Sequence, residues 1–181
     1  MKIRLATVWL GGCAGCHMSF LDLDEFLIDL ADVVDLVYSP VVDVKHYPHN
    51  VDLCLIEGAI CNHDNLEILN QIRARTKVLV AFGDCAVTGN VPAMRNPLGL
   101  DNVENVLQRA YVENAQNNPG VPKADGIVPQ LLPHVMPIHE AVFVEHFLPG
   151  CPPPAARIKK LVAQLLAGQT PMPAGIDLKF G

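Results

Sequence analysis

Five short runs of mostly apolar residues each stop at a glycine or a proline, and segments with helical spacing lie between most of them. Ile3–Leu10 ends at Gly11-Gly12, Val33–Tyr38 at Ser39-Pro40, and Val51–Ile56 at Glu57-Gly58. Lys77–Phe82 ends at Gly83, and Ala141–Leu148 at Pro149-Gly150. Runs of this length, rich in valine and isoleucine, read as strands buried on both faces rather than on one. Strands buried on both faces belong to a parallel sheet whose crossovers are helices.

The intervening segments supply those helices. Met18–Ala31 carries Phe20, Leu21, Leu23, Leu27 and Leu30 with acids between them, an amphipathic pattern. Asn65–Arg75 and Asn102–Asn114 read as helices as well. So does Ala155–Ala167, just after Pro152–Pro154, where a missing N–H costs nothing. The expectation is an α/β chain, one domain over residues 1–181, with a flavodoxin-like parallel sheet of about five strands, the first of them central. Helices cover both faces. Two segments resist the scheme. Ala86–Asp101 has no clear period. Pro119–Pro137 sets five prolines beside Leu131, Leu132, Val135 and Met136. A long irregular segment this apolar has two readings, a loop packed on its own domain or, the favoured one, a surface covered by a partner chain.

The cysteines fall where such a sheet would gather them. Cys13 and Cys16 follow the first strand, Cys85 the fourth and Cys151 the fifth. Parallel strands all end at one edge, and ligands bind in the crevice beyond their carboxyl ends. Four thiols distant in sequence should therefore converge there, as a soft, tetrahedral metal site. Gly11, Gly12, Gly15, Gly83 and Gly150 flank them and let backbone approach a bulky group. The spacing leaves the occupant open. An iron-sulfur cluster accounts for all four cysteines. Structural zinc favours two compact pairs. A dithiol redox pair at Cys13 and Cys16 leaves Cys85 and Cys151 without a role. A fourth reading takes all four as ordinary buried thiols. Cys54, inside the third strand, is expected to be a small buried hydrophobe, and Cys61 a non-ligand near the same edge.

The formal net charge is -6 with no compensating basic run, so a nucleic-acid surface is not expected. No run of apolar residues is long enough for a transmembrane helix, and the first residues lack the layout of a secretory signal. The chain is expected in the cytoplasm, where thiols stay reduced and a disulfide framework is not favoured.

At these same residues the sequence resembles the small subunit of nickel-iron hydrogenases. Trp9-Leu10 with Cys13-Ala14-Gly15-Cys16 and Ser19 is similar to the family's first motif, and Glu57-Gly58-Ala59-Ile60 to its second. Gly83-Asp84-Cys85-Ala86 with Gly89 and Pro92-Ala93 is similar to the third, and Leu148-Pro149-Gly150-Cys151-Pro152-Pro153 to the fourth. Each motif alone is modest; all four in order are specific. The resemblance implies one proximal 4Fe-4S cluster on Cys13, Cys16, Cys85 and Cys151. It also implies a large partner subunit carrying the nickel-iron centre, with no nickel ligands in this chain. Periplasmic members have a twin-arginine leader and a further cysteine-rich domain. Neither is seen here, and no cysteine follows Cys151. The short form, and Cys16–Asp24, resemble the bidirectional, NAD(P)-linked cytoplasmic class, whose FMN and NAD sites lie in diaphorase subunits. The related subunit of respiratory NADH:quinone oxidoreductase usually has two adjacent cysteines in the first motif, unlike Cys13-x-x-Cys16. No phosphate loop is recognisable for a flavin in this chain. Asn90 stands where the third motif commonly has glycine, which implies a local difference in that loop.

Glu57, at the end of the third strand, has two readings: a proton relay beside the cluster, or a carboxylate that caps nearby backbone N–H groups. His17 is expected at a helix start or on the surface, not as a ligand; protonated, it would raise a cluster potential. His134, His139 and His146 share no ligand spacing and read as loop or partner-facing residues. Arg157, Lys159 and Lys160 read as a solvated face.

Overall fold

The computed structural model of the chain describes residues 2–172 and 174–180, and Leu100 through its backbone. In chain order its elements are β1 (Ile3–Trp9), α1 (Gly15–Leu21), α2 (Phe26–Val33), β2 (Val34–Tyr38), β3 (Val51–Glu57), β4 (Ile60–Asn62), α3 (His63–Arg75) and β5 (Thr76–Phe82). Then come α4 (Asp84–Thr88), α5 (Asn90–Ala93), α6 (Leu100–Gln108), β6 (Leu131–Met136), β7 (His146–Leu148) and α7 (Ala155–Leu166).

Five strands form one sheet in the order β2-β1-β3-β5-β7, and every pairing is parallel. This is the flavodoxin-like order, and the direction in which the connections run reverses between β1 and β3. β1 is interior, but the middle place goes to β3, which pairs with β1 and β5.

The sheet divides its side chains by the two-residue period of a strand. Ala6, Val8, Cys54, Ile56, Leu79 and Ala81 pack on one face with Leu69 and Ile72 of α3 and with Ile138. Leu5, Leu53, Leu55, Val80 and Phe82 pack on the other with Phe20 of α1, Leu30 of α2 and Ile158, Leu161 and Val162 of α7. Both faces are buried, which is why the strands read as apolar runs instead of alternating ones. Complete burial of a side chain such as Leu55 or Ile56 stabilises the fold by about 1.5–3 kcal/mol.

The structure departs from the sequence reading in three places. The helix expected over Met18–Ala31 is two helices, α1 and α2. Asp24 has a φ of 50°, a left-handed conformation that aspartate tolerates better than most residues, and the turn there lets Leu23 bury. The fifth strand is short, beginning at His146 and not at Ala141. Just before it the Glu145 carboxylate accepts the Leu79 N–H at 2.7 Å, occupying a donor that a longer ladder would have used. Ala86–Asp101 holds α4, α5 and a 3₁₀ turn over Asn96–Leu98. Of the two readings of Pro119–Pro137, the later half of the segment takes the first and packs on its own chain. β6 pairs antiparallel with β4, Leu132 and Val135 are buried, and Arg95 and Asn96 bond the backbone of Leu132, Pro133 and Val135. The earlier half stays exposed, with Ile127 80% accessible.

Candidate metal centre

The loops beyond the carboxyl ends of the strands are bonded to one another in two pairs. After β1, the Leu10 N–H donates to Glu57 O at 2.8 Å, and Gly11 exchanges two backbone hydrogen bonds with Ala59, at 2.9 and 2.8 Å. The loop carrying Cys13 and Cys16 is thereby fixed to the end of β3. After β5, the Gly83 N–H donates to Leu148 O at 2.8 Å and the Asp84 N–H to Gly150 O at 2.9 Å. Asp84, buried, accepts the Gly150 N–H through Oδ1 at 2.5 Å. The loop carrying Cys85 is thereby fixed to the loop carrying Cys151. Ser19 of α1 closes the set by donating from Oγ to Pro153 O at 2.6 Å.

The two pairs meet at Gly83. Its φ is +84°, and a Cβ built there would stand 2.2 Å from Cys16 Sγ. Only glycine satisfies both conditions at once, the backbone conformation and the space for the sulfur. Ala14, with a φ of 67°, turns the chain between Cys13 and Cys16 into α1.

All four expected thiols come together. Cys16 is buried, Cys85 half-buried, and Cys13 and Cys151 exposed. Burial pushes the Cys16 thiol well above its ordinary range, and the charges of Glu57, Cys85, Cys13 and Cys151 add to the effect. Cys85 is pushed up to about 11, by burial first and then by Cys151, Cys13 and Glu57, against a hydrogen bond from the Val91 N–H. Cys13 and Cys151 thus both disfavour a thiolate at Cys16 and at Cys85. Such a site gains from a cationic group that binds the four sulfurs as thiolates.

Among the described residues no three His, Cys, Asp or Glu side chains stand close enough to hold a single metal ion. Four thiols from three loops fit an iron-sulfur cluster, whose ligands are spread over several metal atoms. The other two cysteines stand apart from this set. Cys54 is wholly buried in β3, its thiol raised to about 12 mainly by burial. Cys61 packs on Gly11 and donates to Ala59 O.

Glu57 is 2% exposed, and its carboxylate accepts the backbone N–H of Cys16 at 3.4 Å and of His17 at 2.9 Å. Oε2 also takes a hydrogen bond from His17 Nδ1. The carboxylate therefore secures the start of α1, as a capping residue supplied from another strand. His17 sits on that first turn as expected, but it is buried and not on the surface, its ring edge-on to Phe82 at 6.3 Å. Nothing in the sequence pairs His17 with Glu57, because only the sheet register brings β1's loop against β3.

A cavity of about 270 Å³ lies under α1 and α2, lined mainly by apolar groups such as Leu5, Phe20, Leu27 and Leu30, with His17 also on its wall. No helix among the described residues is long and apolar enough to cross a membrane.

The family model described as NADH ubiquinone oxidoreductase, 20 Kd subunit, matches residues 13–165. The delta subunit of the NAD-reducing hydrogenase HoxS of Cupriavidus necator is 38% identical over 171 residues, covering 93% of this chain and 80% of the relative. A subunit of the F420-non-reducing hydrogenase vhu of Methanococcus voltae is also 38% identical over 171 residues, covering 94% of this chain but only 58% of the relative. Among solved structures, a chain of an NAD+-reducing [NiFe]-hydrogenase in the H2-reduced state is 43% identical, with a TM-score of 0.92 and full coverage of both chains. A [NiFeSe]-hydrogenase chain from Dm. baculatum, 17% identical with a TM-score of 0.58, shares the fold; the match covers 96% of this chain and 67% of that one.

Proposed function

Because the chain belongs to the NADH ubiquinone oxidoreductase 20 Kd subunit family, as the small subunit of a nickel-iron hydrogenase, we propose that Cys13, Cys16, Cys85 and Cys151 hold one 4Fe-4S cluster, through which electrons pass between a nickel-iron site in the large partner subunit and a diaphorase module. The observation that carries this reading is the meeting of four thiols from three loops, with Cys16 Sγ seated in the space that Gly83 leaves open. When bound, the cluster supplies a one-electron store whose potential is set by charge, hydrogen bonds to sulfur and exposure. Every other cofactor of the reaction, the nickel-iron centre, FMN and NAD, falls to partner subunits. The whole chain, residues 1–181, acts as one iron-sulfur domain in the cytoplasm.

The respiratory relative is a weaker reading, because Cys13-x-x-Cys16 replaces its adjacent cysteines. Zinc is weaker still, because structural zinc favours two compact cysteine pairs and only Cys13 and Cys16 form one.

Within this reading the chain's own residues have distinct tasks. Glu57 holds the Cys13–Cys16 loop, and its Oε2 with His17 Nδ1 forms a buried pair along which a proton would move beside the cluster. Trp9 at the end of β1 and Met18 of α1 flank the Cys13–Cys16 loop as exposed apolar side chains, and Val91 and Met94 are exposed on and just after α5, which follows the helix carrying Cys85. The large subunit would cover them, an interface being one use of exposed apolar side chains.

Anaerobic purification through a tag on this chain, with counting of nickel, iron and zinc, tests the proposal. A nickel-bearing partner with iron in excess of its own centre is expected. Cys85→Ala should lose the iron of one cluster while Cys61→Ala keeps it. Zinc alone, or full iron in the Cys85 variant, refutes the ligand assignment.

A further inference from the structure

Two of the four sulfurs receive hydrogen bonds from one short turn. The Val91 N–H donates to Cys85, and Asn90 Nδ2 stands 3.4 Å from Cys151 Sγ. Asn90 opens α5 directly after Gly89, and its φ of 37° is a left-handed conformation that asparagine tolerates better than most residues. A thiolate only accepts, so the amide must present its nitrogen to the sulfur.

We infer that Asn90 is a positioning residue that sets the potential of the cluster, by donating its side-chain amide to the sulfur of Cys151. The inference rests on the cluster assignment above. Reduction adds negative charge that the sulfurs share. An N–H dipole aimed at one of them favours the reduced state and raises the potential. Cys151 is exposed, so water competes for its sulfur and moderates the effect.

Glycine at this position accepts the same φ without strain and removes only the donor. Aspartate keeps the size and replaces the donor with a negative charge. The midpoint potential should therefore fall in the order wild type, Asn90→Gly, Asn90→Asp. At a fixed potential the reduced fraction relative to oxidised should drop about threefold to tenfold in Asn90→Gly, tenfold being about 59 mV for one electron. Redox titration of the anaerobically purified complex, followed by the electron paramagnetic resonance of the reduced cluster, reads this directly. A merely structural role for Asn90 would not order the two variants in this way. Equal potentials in all three proteins, with the cluster signal intact, overturn the inference and leave the ligand assignment standing. The absence of any cluster signal from the wild type overturns the ligand assignment itself, and this inference with it.

Discussion

Gly83→Ala separates the two demands made on that residue. The first is conformational. At a φ of 84° and a ψ of 162°, a region essentially reserved for glycine, an alanine is strained by roughly 1–3 kcal/mol. The second is spatial. The new Cβ would stand 2.2 Å from Cys16 Sγ, well inside contact distance, and Cys16, on α1, belongs to the core on that face of the sheet with 7% exposure. Overpacking of this kind costs about 1–3 kcal/mol. Together they amount to roughly 2–6 kcal/mol. Gly99 supplies the control, since its φ is +75° but a Cβ there meets nothing within 4 Å. Gly99→Ala should therefore show the first cost alone. At about 2–4 °C per kcal/mol for a domain of this size, the gap between the two variants is roughly 2–12 °C in Tm. The decisive assay is iron per complex alongside thermal unfolding. Gly83→Ala should lose iron and Gly99→Ala should keep it. If Gly83→Ala keeps full iron and melts no lower than Gly99→Ala, the claim that Gly83 makes room for Cys16 is wrong.

Two further outcomes are expected. Cys54→Ala should keep the cluster and change the response to alkali. The Cys54 thiol is raised from 9.0 to about 12, so the unfolded chain gives up that proton first as pH rises. Its contribution is complete below about pH 9 and is lost as pH climbs toward 12, and denaturant titrations across that window should fall less steeply in the variant. Arg73→Met should cost about 2–3 kcal/mol in denaturant unfolding, because the guanidinium bonds both Glu145 oxygens, at 3.1 and 2.9 Å, as well as the carbonyls of Phe143, Thr76 and Lys77.

Much of this architecture was legible in the sequence because a doubly covered strand leaves an unbroken apolar run with a breaker after it. That rule located β1, β3 and β5 within a residue or two and put the four cysteines at one edge. What escaped has physical causes. Leu131–Met136 contains Pro133, which disfavours a strand assignment, yet β6 is an edge strand that tolerates it. The break between α1 and α2 rests on a single aspartate, and the helical spacing of leucines runs straight through it. The shortness of β7 depends on where the Glu145 carboxylate points. The role of Gly83 was invisible for a similar reason. The glycine itself stands out two residues before Cys85, but the atom that forbids a side chain there belongs to Cys16, far off in the chain. Glu57 was readable as a cap or a relay. The N–H groups it holds became identifiable only once β1 and β3 lay side by side.

The paired loops have a consequence for speed. Each cysteine hangs from backbone that is already tied to a second strand end, at Gly11 and Ala59 on one side and at Gly83, Asp84, Leu148 and Gly150 on the other. Donor atoms held in this way have little room to shift when a neighbouring group gains or loses charge. At the proposed cluster, an arriving electron would therefore wait on few atoms to rearrange.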